Sequence, residues 1–460
     1  MSNQFPTLNR RWLYLPVEVK AREYLSRILL GCFAVERGFG VVLGDKNILN
    51  PNLINFAPGV VLEKSLAINR YGFLKSIKDH GHIILNLDEE GLASTGNRDV
   101  YLNQRVSERT AALADILFFW GRKERDIACE KIKDLGKICI VSGNPRIDLL
   151  RKSLRNFYND QASIYRKKYG KYILIPSSYG AQRLKGEKFF IEYAYQYELI
   201  KNKEDEKKCV DYYRHKEKNH NAFLTAIPEI AKVFPDYTII FRPHPSEKSK
   251  YWRNQFKPID SIQICEKGSI TPWILGSEVL IHNGCTTGLE AYLLDVPVIT
   301  YMPYRNKTSQ DIISNMLSFK VESVDELMIC IRNCLLDNKV KILKDYEKEE
   351  LNSQIASLKG KLASEKIIEN IDNLSIEKRF QEFDRYAHAK DKNLAMKALA
   401  ITRAQLSYLR KTWGLNRSMK FSHSSLAEVN GIIKKLSTTT SYFKDIQAEK
   451  IDHNLYCMFK

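Results

Sequence analysis

The segment that most restricts the fold of this chain runs from Val279 to Tyr301. Its two ends, residues 279–281 and 296–301, are continuous apolar runs separated by a helix-length gap. Such runs are typical of parallel strands covered on both faces, because neither face then needs polar residues. The segment therefore predicts a strand, a short helix and a second parallel strand, which is the repeating unit of α/β folds.

The turn between this strand and its helix carries small and polar residues. Thr286 or Thr287 can cap the helix, and the free N–H groups at a helix start favour an anion such as a nucleotide phosphate. Glu290, one turn further on, can reach a ribose hydroxyl or a base edge. An ordinary strand-to-helix connection is the alternative. The predicted nucleotide-binding residues here are His282, Asn283, Gly284, Thr286, Thr287 and Glu290.

A second candidate motif is Arg-Pro-His-Pro at residues 242–245, at the end of the predicted strand 237–242. Its two prolines hold the backbone extended and so restrict where Arg242 and His244 point. An arginine and an imidazole are suitable donors to a phosphate. A rigid exit turn with a buried histidine is the alternative. Ser177, in the hydroxyl-rich turn after the predicted strand 172–176, is another candidate phosphate contact.

The first part of the chain also predicts alternating strands and helices. Strands are expected near residues 11–18, 40–44, 58–65, 82–91, 115–121 and 137–142. Glu18, Lys20 and Arg22 lie at the carboxyl end of the first strand, where open parallel sheets bind ligands. Lys20 or Arg22 is therefore a candidate contact for a substrate carboxylate or phosphate. Charges of a first helical turn are the alternative.

Three consecutive carboxylates end the fourth predicted strand: Asp88, Glu89 and Glu90. Because neighbouring like charges repel, one of them can acquire the raised pKa that a general acid or base requires. Another can stay ionised as a nucleophile or as a stabiliser of an oxocarbenium ion. A solvated acidic turn is the alternative. The candidate catalytic carboxylates are Asp88, Glu89 and Glu18.

These motifs resemble those of GT-B glycosyltransferases and their relatives. The sequences of residues 13–23 and 279–301 resemble those of bacterial surface carbohydrate biosynthesis proteins. The resemblance covers roughly residues 11–335. It implies two Rossmann-like domains facing a cleft, with the sugar nucleotide held on the second. The turn Gly143-Asn144-Pro145-Arg146 resembles the turn that ends the first domain of many GT-B proteins, which makes Asn144 and Arg146 candidate substrate contacts.

The His244-Pro245 pair resembles the nucleotide-binding motif of bacterial sialyltransferases and Kdo transferases, which use CMP-sugars. It also resembles the Arg-x-His-Pro motif of glycerol- and ribitol-phosphate polymerases, which use CDP-alcohols. The resemblance therefore implies a cytidine nucleotide. The Arg, His and Thr side chains can neutralise a phosphate unaided, so neither a metal nor a resident cofactor is expected.

Three regions are expected along the chain. Residues 1–165 form an acceptor-side Rossmann-like domain, residues 166–340 a donor-side Rossmann-like domain, and residues 341–460 a helical C-terminal region that braces the domains. Residues 186–220 are predicted to be a helical insertion, followed by an amphipathic helix at residues 222–234. Residues 385–460 are predicted to be basic helices that contact a membrane or a partner, or only cap the fold.

Composition sets the expected partners. The chain has 460 residues, with 72 Lys and Arg against 54 Asp and Glu. This positive charge favours an anionic binding partner, such as the inner leaflet of the membrane or a phosphorylated lipid carrier. The alternative is a solvated face that only keeps the protein soluble. No nucleic-acid module is recognisable. A transmembrane run and the apolar core of a signal peptide are both lacking, so a cytoplasmic protein is expected, at most peripheral to the inner face of the membrane.

The leading hypothesis is a GT-B glycosyltransferase of capsule or lipopolysaccharide synthesis. It would transfer a 3-deoxy-2-ulosonic acid, Kdo or a nonulosonic acid, from a CMP donor to a glycan or lipid-linked oligosaccharide. The alternatives are a CDP-alcohol phosphotransferase, a UDP-sugar transferase or epimerase, and a non-catalytic scaffold of a polysaccharide assembly complex.

Overall fold

The structure is a computed structural model that describes residues 11–90, 105–132, 134–196, 199–257, 259–305, 312–374, 421 and 423–460. The chain forms two compact units. Unit 1 contains the described residues up to 90, residues 105–157 and those from 352 onward. Unit 2 contains residues 158–351.

The strands, in chain order, are β1 (Arg11–Val17), β2 (Phe39–Asp45), β3 (Val60–Glu63), β4 (Ile83–Leu87), β5 (Ile116–Phe119), β6 (Cys139–Val141), β7 (Tyr172–Pro176), β8 (Thr238–Arg242), β9 (Ile262–Ile264), β10 (Val279–His282), β11 (Val298–Tyr301), β12 (Phe319–Val321), β13 (Gln447–Asp452) and β14 (Leu455–Phe459).

The helices are α1 (Lys20–Glu36), α2 (Lys46–Asn52), α3 (Tyr71–Asp79), α4 (Glu108–Ala111), α5 (Arg122–Lys131), α6 (Pro145–Asp148), α7 (Asn159–Tyr169), α8 (Glu187–Gln196), α9 (Lys203–Val233), α10 (Ser249–Phe256), α11 (Thr271–Gly276), α12 (Thr287–Leu293), α13 (Ile313–Met316), α14 (Val324–Asp337), α15 (Asp345–Gln354), α16 (Ala363–Asp372) and α17 (Leu426–Thr440).

Unit 1 is built on an eight-stranded sheet in the order β13-β14-β2-β1-β3-β4-β5-β6. Strands β1 to β6 pair in parallel. Nearly all residues of β1 to β5 are buried, which explains why these strands are continuous apolar runs. From β1 the chain passes to β2 on one side and then to β3 on the other. The topological switch point of unit 1 therefore lies between β1 and β3, beyond their carboxyl ends.

The C-terminal segment completes the sheet of unit 1. Strand β14 pairs antiparallel with β2, and β13 pairs antiparallel with β14. A Cβ atom on Gly44 of β2 would lie 2.1 Å from the main-chain oxygen of Asn454, so only glycine allows this close approach. The prediction of helices through residues 385–460 is confirmed for α17 and wrong for β13 and β14, while residues 385–420 lie outside the described residues.

Unit 2 has a six-stranded sheet in the order β12-β11-β10-β7-β8-β9, and all its strands pair in parallel. The βαβ unit predicted for residues 279–301 is confirmed as β10, α12 and β11. From β7 the chain continues through β8 and β9 on one side and returns to β10 on the other. The switch point of unit 2 therefore lies between β7 and β10.

One difference in unit 2 concerns the predicted insertion. The sequence suggested a break between an inserted segment ending near residue 220 and a separate helix at residues 222–234. The structure has a single helix, α9, from Lys203 to Val233. Its Pro228 lies inside the helix, and its C-terminal part buries Ala226, Ile227 and Ile230 against the sheet. Residues 203–220 of the predicted insertion thus extend a core helix, and residues 187–196 form the separate helix α8.

The fold class is α/β with two Rossmann-like units, as predicted. The sheet of unit 2 is parallel, and that of unit 1 is parallel except for β13 and β14. Among the described residues no helix is long and apolar enough to cross a membrane.

Candidate functional site

The candidate site in unit 2 is the carboxyl edge of β7, β8 and β10. Hydrogen bonds tie the loops after these three strands together. The Ser178 hydroxyl donates to the main-chain oxygen of Asn283 at 2.9 Å, which joins the loop after β7 to the loop after β10. The Ser177 hydroxyl donates to a Glu247 carboxylate oxygen at 2.9 Å, which joins the loop after β7 to the loop after β8. The switch point is therefore surrounded by one connected set of loops.

Glu247 is the centre of this connection, and sequence reasoning missed it. Its carboxylate accepts four hydrogen bonds, from the Ser177 hydroxyl, the Gly180 N–H at 2.6 Å, the His244 N–H at 3.1 Å and the Trp252 indole N–H at 2.7 Å. Burial raises the pKa of Glu247, although these donors act to lower it. In the sequence it is one acidic residue after Pro-Ser, which nothing distinguishes from a solvated turn charge.

Arg242, the last residue of β8, is 7% exposed. Its two terminal nitrogens donate to the main-chain oxygens of Lys267 and Gly268 at 2.9 and 2.8 Å, and its guanidinium lies 5.1 Å from the centre of the Trp273 ring. Burial lowers the pKa of Arg242 to about 10. The terminal nitrogens predicted to bind phosphate thus position the loop after β9.

His244 and Pro245, in contrast, are exposed. The ring nitrogen Nδ1 of His244 lies 2.8 Å from the Ser246 hydroxyl, and the main-chain N–H of His244 is held by Glu247. The backbone of this turn is therefore fixed while the imidazole faces solvent. The alternative of a buried histidine does not apply to His244.

A buried histidine does occur at His282, which is 0% exposed. Its Nδ1 accepts from the Cys285 N–H at 3.3 Å, so Nε2 carries the proton and donates to the Ser318 hydroxyl at 2.9 Å. Burial lowers the pKa of His282 to about 3, with a further contribution from Lys216. His282 is therefore neutral, and it shapes the turn after β10 from beneath.

The turn itself differs from the expected cap. Thr286 occupies the position before α12 but makes no capping hydrogen bond, and the Thr287 hydroxyl lies against the Cys285 sulfur, so the prediction of a threonine side-chain cap is wrong. The backbone of Gly284 has a φ of 65°, in the left-handed region that favours glycine. The Asn283 amide donates to the Tyr301 main-chain oxygen at 2.8 Å.

Glu290, predicted to reach a ribose or a base edge, is 8% exposed, in the first turn of α12. Thr286 and Thr287 are half-buried, as are Asn283 and Gly284. The accessible part of the unit 2 edge thus consists of His244, the 283–287 turn and the hydroxyl-bearing loop after β7.

The corresponding edge of unit 1 is a network of ion pairs. Glu18 lies just after β1, and one of its carboxylate oxygens is 2.6 Å from the Lys64 ammonium, just after β3, and 3.2 Å from the Lys46 ammonium. The two strands flank the switch point, so the prediction that Glu18 lies at a ligand-binding edge agrees with the topology. The Glu18 side chain is 22% exposed.

The carboxylates after β4 are also paired. Arg105 donates to both Asp88 oxygens, at 2.7 and 3.0 Å, and Arg22 lies 3.0 Å from Glu90. The Arg22 terminal nitrogen also bonds the buried Glu23 at 3.0 Å. Burial acts to raise the pKa of Glu90, but the charges of Arg22 and Arg105 lower it overall. Arg22, a predicted substrate contact, links two of the acids of this edge.

Glu89 has a different environment. Its carboxylate lies 3.0 Å from the Arg27 guanidinium, and both side chains are 1% exposed. Burial raises the pKa of Glu89, and the Arg27 charge opposes that rise. A raised pKa is what the sequence predicted for one member of the acidic run, but in this conformation the carboxylate has almost no accessible surface.

Three further candidates have structural partners in unit 1. The Lys20 ammonium pairs with Glu428 at 2.7 Å and donates to the main-chain oxygen of His423 at 2.9 Å, so it holds the C-terminal segment. Asn144 accepts from the Arg146 N–H at 2.9 Å and so caps α6. The Arg146 guanidinium donates to the Glu89 main-chain oxygen at 3.0 Å, which fixes the end of β4.

No family model matches the chain, and no curated protein matches it. The structure is similar to UDP-GlcNAc 2-epimerase from Methanocaldococcus jannaschii, with 14% identity and a TM-score of 0.47 over 79% of this chain and 99% of that chain. UDP-GlcNAc 2-epimerase from Neisseria meningitidis, bound to UDP-GlcNAc, has 14% identity and a TM-score of 0.48 over 79% of this chain and 99% of that chain. HepE from Anabaena, in complex with UDP and glucose, has 11% identity and a TM-score of 0.39 over 83% of this chain and 100% of that chain.

Proposed function

We propose that the chain is a nucleotide-sugar enzyme of surface carbohydrate synthesis that binds its nucleotide at the carboxyl edge of unit 2. The observation that carries this proposal is the connected set of loops at the switch point between β7 and β10, with the exposed His244 and the hydroxyls of Ser177 and Thr286 on one edge. Ligands of open parallel sheets bind in this place.

The preferred reaction is transfer of a sugar, with a CMP-linked 3-deoxy-2-ulosonic acid as the donor. The exposed His244-Pro245 turn supports a cytidine nucleotide, since this pair is the feature that resembles CMP-sugar transferases. A UDP-sugar transferase or epimerase is the second candidate, and UDP is the nucleotide named in the solved structures described above. The acceptor is proposed to be a glycan or a lipid-linked oligosaccharide at the cytoplasmic face of the membrane.

The catalytic carboxylate is proposed to be Glu18. Its side chain is 22% exposed, against 11% for Asp88 and 1% for Glu89, and it lies at the switch point of unit 1. Two lysine ammonium groups lie 2.6 and 3.2 Å from its carboxylate and stabilise the negative charge that a base or a nucleophile carries. Asp88 and Glu89 then serve to fix the end of β4.

The proposal is tested by titrating the purified chain with CMP, CDP, UMP and UDP, with and without magnesium, and following thermal stability, since a ligand of the folded state raises it. The proposal expects stabilisation without metal. A preference for CMP supports the ulosonic-acid transferase, a preference for uridine nucleotides supports a UDP-sugar enzyme, and a preference for CDP supports a phosphotransferase. No stabilisation by any nucleotide would contradict the proposal and favour a scaffold.

The Glu18→Gln variant separates binding from chemistry. It is expected to bind nucleotide as the wild type does and to lose transfer by roughly a factor of 100 to 10,000, the usual contribution of a general base. The matched control is Asp79→Asn, at an exposed ion pair on α3. Equal activity of Glu18→Gln and the control would assign the chemistry to another carboxylate.

A further inference from the structure

Helix α9 lies against the candidate nucleotide site of unit 2. The His220 ring stacks on the Tyr179 ring, in the loop after β7, with 4.1 Å between the ring centres. Asn219 accepts from the Asn283 amide, in the turn after β10, at 3.3 Å and donates to the main-chain oxygen of Tyr304, after β11, at 3.2 Å. The inserted residues therefore contact the loops after three neighbouring strands at the proposed nucleotide edge.

Arg183, in the loop after β7, is fixed by the same helix. One terminal nitrogen donates to the Tyr212 hydroxyl at 2.8 Å, and the other bonds the main-chain oxygen of Tyr179. Its Nε atom is buried and has no hydrogen-bond partner among the described residues. The guanidinium also lies 5.1 Å from the centre of the Tyr212 ring. This cation is thus held at the edge by an aromatic residue and a carbonyl, and it makes no ion pair within the described part of the chain.

Lys216 lies one helical turn after Tyr212 and one turn before His220. Within the residues that the structure describes, it makes no ion pair and no hydrogen bond. Burial lowers the pKa of Lys216, and the Arg183 charge lowers it further, while Tyr212 and Cys285 are the neighbours that act to raise it. Its charge in turn lowers the pKa of His282 beneath the turn after β10. The Lys216 ammonium lies 6.0 Å from the centre of the Tyr212 ring, the ring that Arg183 also lies against, so the two cations share one aromatic neighbour.

The acidic neighbours of Lys216 on α9 do not compensate this charge. Glu217 accepts from the Tyr213 hydroxyl at 3.0 Å, and Arg214, on the outer side, pairs with Glu187 at 2.9 Å. Among the residues that the structure describes, no carboxylate shifts the pKa of Lys216. Two like charges that are partly removed from water repel each other, and an anion placed between them relieves both the repulsion and the cost of desolvation.

We propose that Lys216 and Arg183 bind the phosphate of the nucleotide at this edge, so that the insertion supplies one of the two cations of the site. The inference rests on the proposed function and specifies it further, since it makes the phosphate, and not the base or the sugar, the group that α9 recognises. Lysine acts here as a mobile point charge toward phosphate, and Arg183 as a fixed one. Arg242, with both terminal nitrogens on carbonyls, contributes to the loop and not to this recognition.

The test is calorimetric titration of Lys216→Met with the preferred nucleotide and with its nucleoside. A hydrogen bond to a charged group contributes enough that its loss is expected to weaken nucleotide binding roughly 10- to 100-fold and to leave nucleoside binding unchanged. The dependence of log Kd on log salt concentration should also become shallower. Lys216→Arg, which keeps the charge, should recover most of the affinity. The matched control is Lys218→Met, an exposed lysine on the same helix.

Equal nucleotide affinity of Lys216→Met and the wild type, with an unchanged melting temperature, would overturn the inference. An equal loss of nucleoside affinity would also overturn it, because the effect would then lie in the loops and not in phosphate recognition. If the wild type binds no nucleotide, the proposed function fails first. Titration with inorganic pyrophosphate then decides: binding that Lys216→Met removes supports the anion site, and no binding by the wild type refutes it.

Discussion

The carboxyl edges of the two units each lie at a topological switch point, but their charges are arranged differently. In unit 1, the acids of the edge are matched by cations: Glu18 with Lys64, Asp88 with Arg105, and Glu89 with Arg27. In unit 2 the one buried carboxylate of the connected loops, Glu247, is bonded by neutral donors, and Arg183 and Lys216 make no ion pair within the described residues. Unit 1 thus satisfies its charges internally, whereas unit 2 retains positive charge for a ligand.

The largest expected effect concerns the buried pair of unit 1. Replacing Arg27 by Met leaves Glu89 without its partner at 1% exposure, and removing one member of such a pair costs about 3–5 kcal/mol. Hydrogen exchange of α1 and β4 against urea measures the local stability. The double variant Arg27→Met with Glu89→Met should be clearly more stable than the single one, since no unpaired charge remains. Equal stability of the two variants would mean that the pair contributes only packing.

A steric change tests the neutral framework of unit 2. A Cβ atom on Gly288 would lie 2.3 Å from Nε2 of His282, whose ring is fixed by Ser318 and the Cys285 N–H. Gly288→Ala should therefore cost about 1–3 kcal/mol, as overpacking does, and weaken nucleotide binding through the displaced turn. Gly72→Ala, at a glycine of α3 with open space around it, is the control. An unchanged melting temperature of Gly288→Ala would show that the ring can move away.

Glu247→Gln tests whether the loops of unit 2 depend on one carboxylate. Glutamine has only one acceptor oxygen, and its NH2 group would face hydrogen-bond donors, so some of the four hydrogen bonds would be lost. The loss should destabilise the protein by about 1–3 kcal/mol, because buried donors are left without acceptors. Hydrogen exchange should rise in residues 177–180 and 243–247, and nucleotide affinity should fall. The control is Glu229→Gln, at an exposed position of α9. Unchanged exchange in both loops would refute this role of Glu247.

The smallest effect is confined to acid pH and compares the two edges directly. Burial alone would raise the pKa of Glu23 in unit 1, but Lys64 and Arg22 lower it overall. A lowered pKa in the folded state means that the stabilisation is present above the unfolded pKa of about 4.3 and is lost as the pH falls through the folded value. Exchange protection of α1 should therefore decrease on acidification.

The pKa of Glu247 in unit 2 is shifted in the opposite direction from that of Glu23. Burial raises the pKa of Glu247. Its contribution to the stability of the fold is therefore largest at low pH and decreases as the pH rises through the pKa of the folded state. The loops after β7 and β8 should thus keep their protection below pH 5 longer than α1 does. The Glu23→Gln variant should remove the acid dependence of α1 without changing that of the unit 2 loops. A parallel loss of protection in both units would contradict the contrast between the edges.

Much of the fold follows from local patterns. Continuous apolar runs predicted β1 to β8, β10 and β11, because a strand covered on both faces needs apolar residues at every position. The short strands β9 and β12 were missed, since three residues carry too little periodicity to be recognised. The hairpin of β13 and β14 was missed as well, because it joins the sheet by pairing with β2, more than 400 residues earlier in the chain.

The sequence by itself determined the α/β class, the βαβ unit of residues 279–301 and the strand ends on which the polar candidate residues lie. Only the tertiary structure decided which of those residues face solvent. Arg242 donates to carbonyls, His282 donates to a hydroxyl, and His244 is exposed. Lys216, to which no role was assigned, lies against the Tyr212 ring together with Arg183. The reason is physical: spacing along the chain fixes which strand end a side chain follows, but its hydrogen-bond partners come from loops distant in sequence.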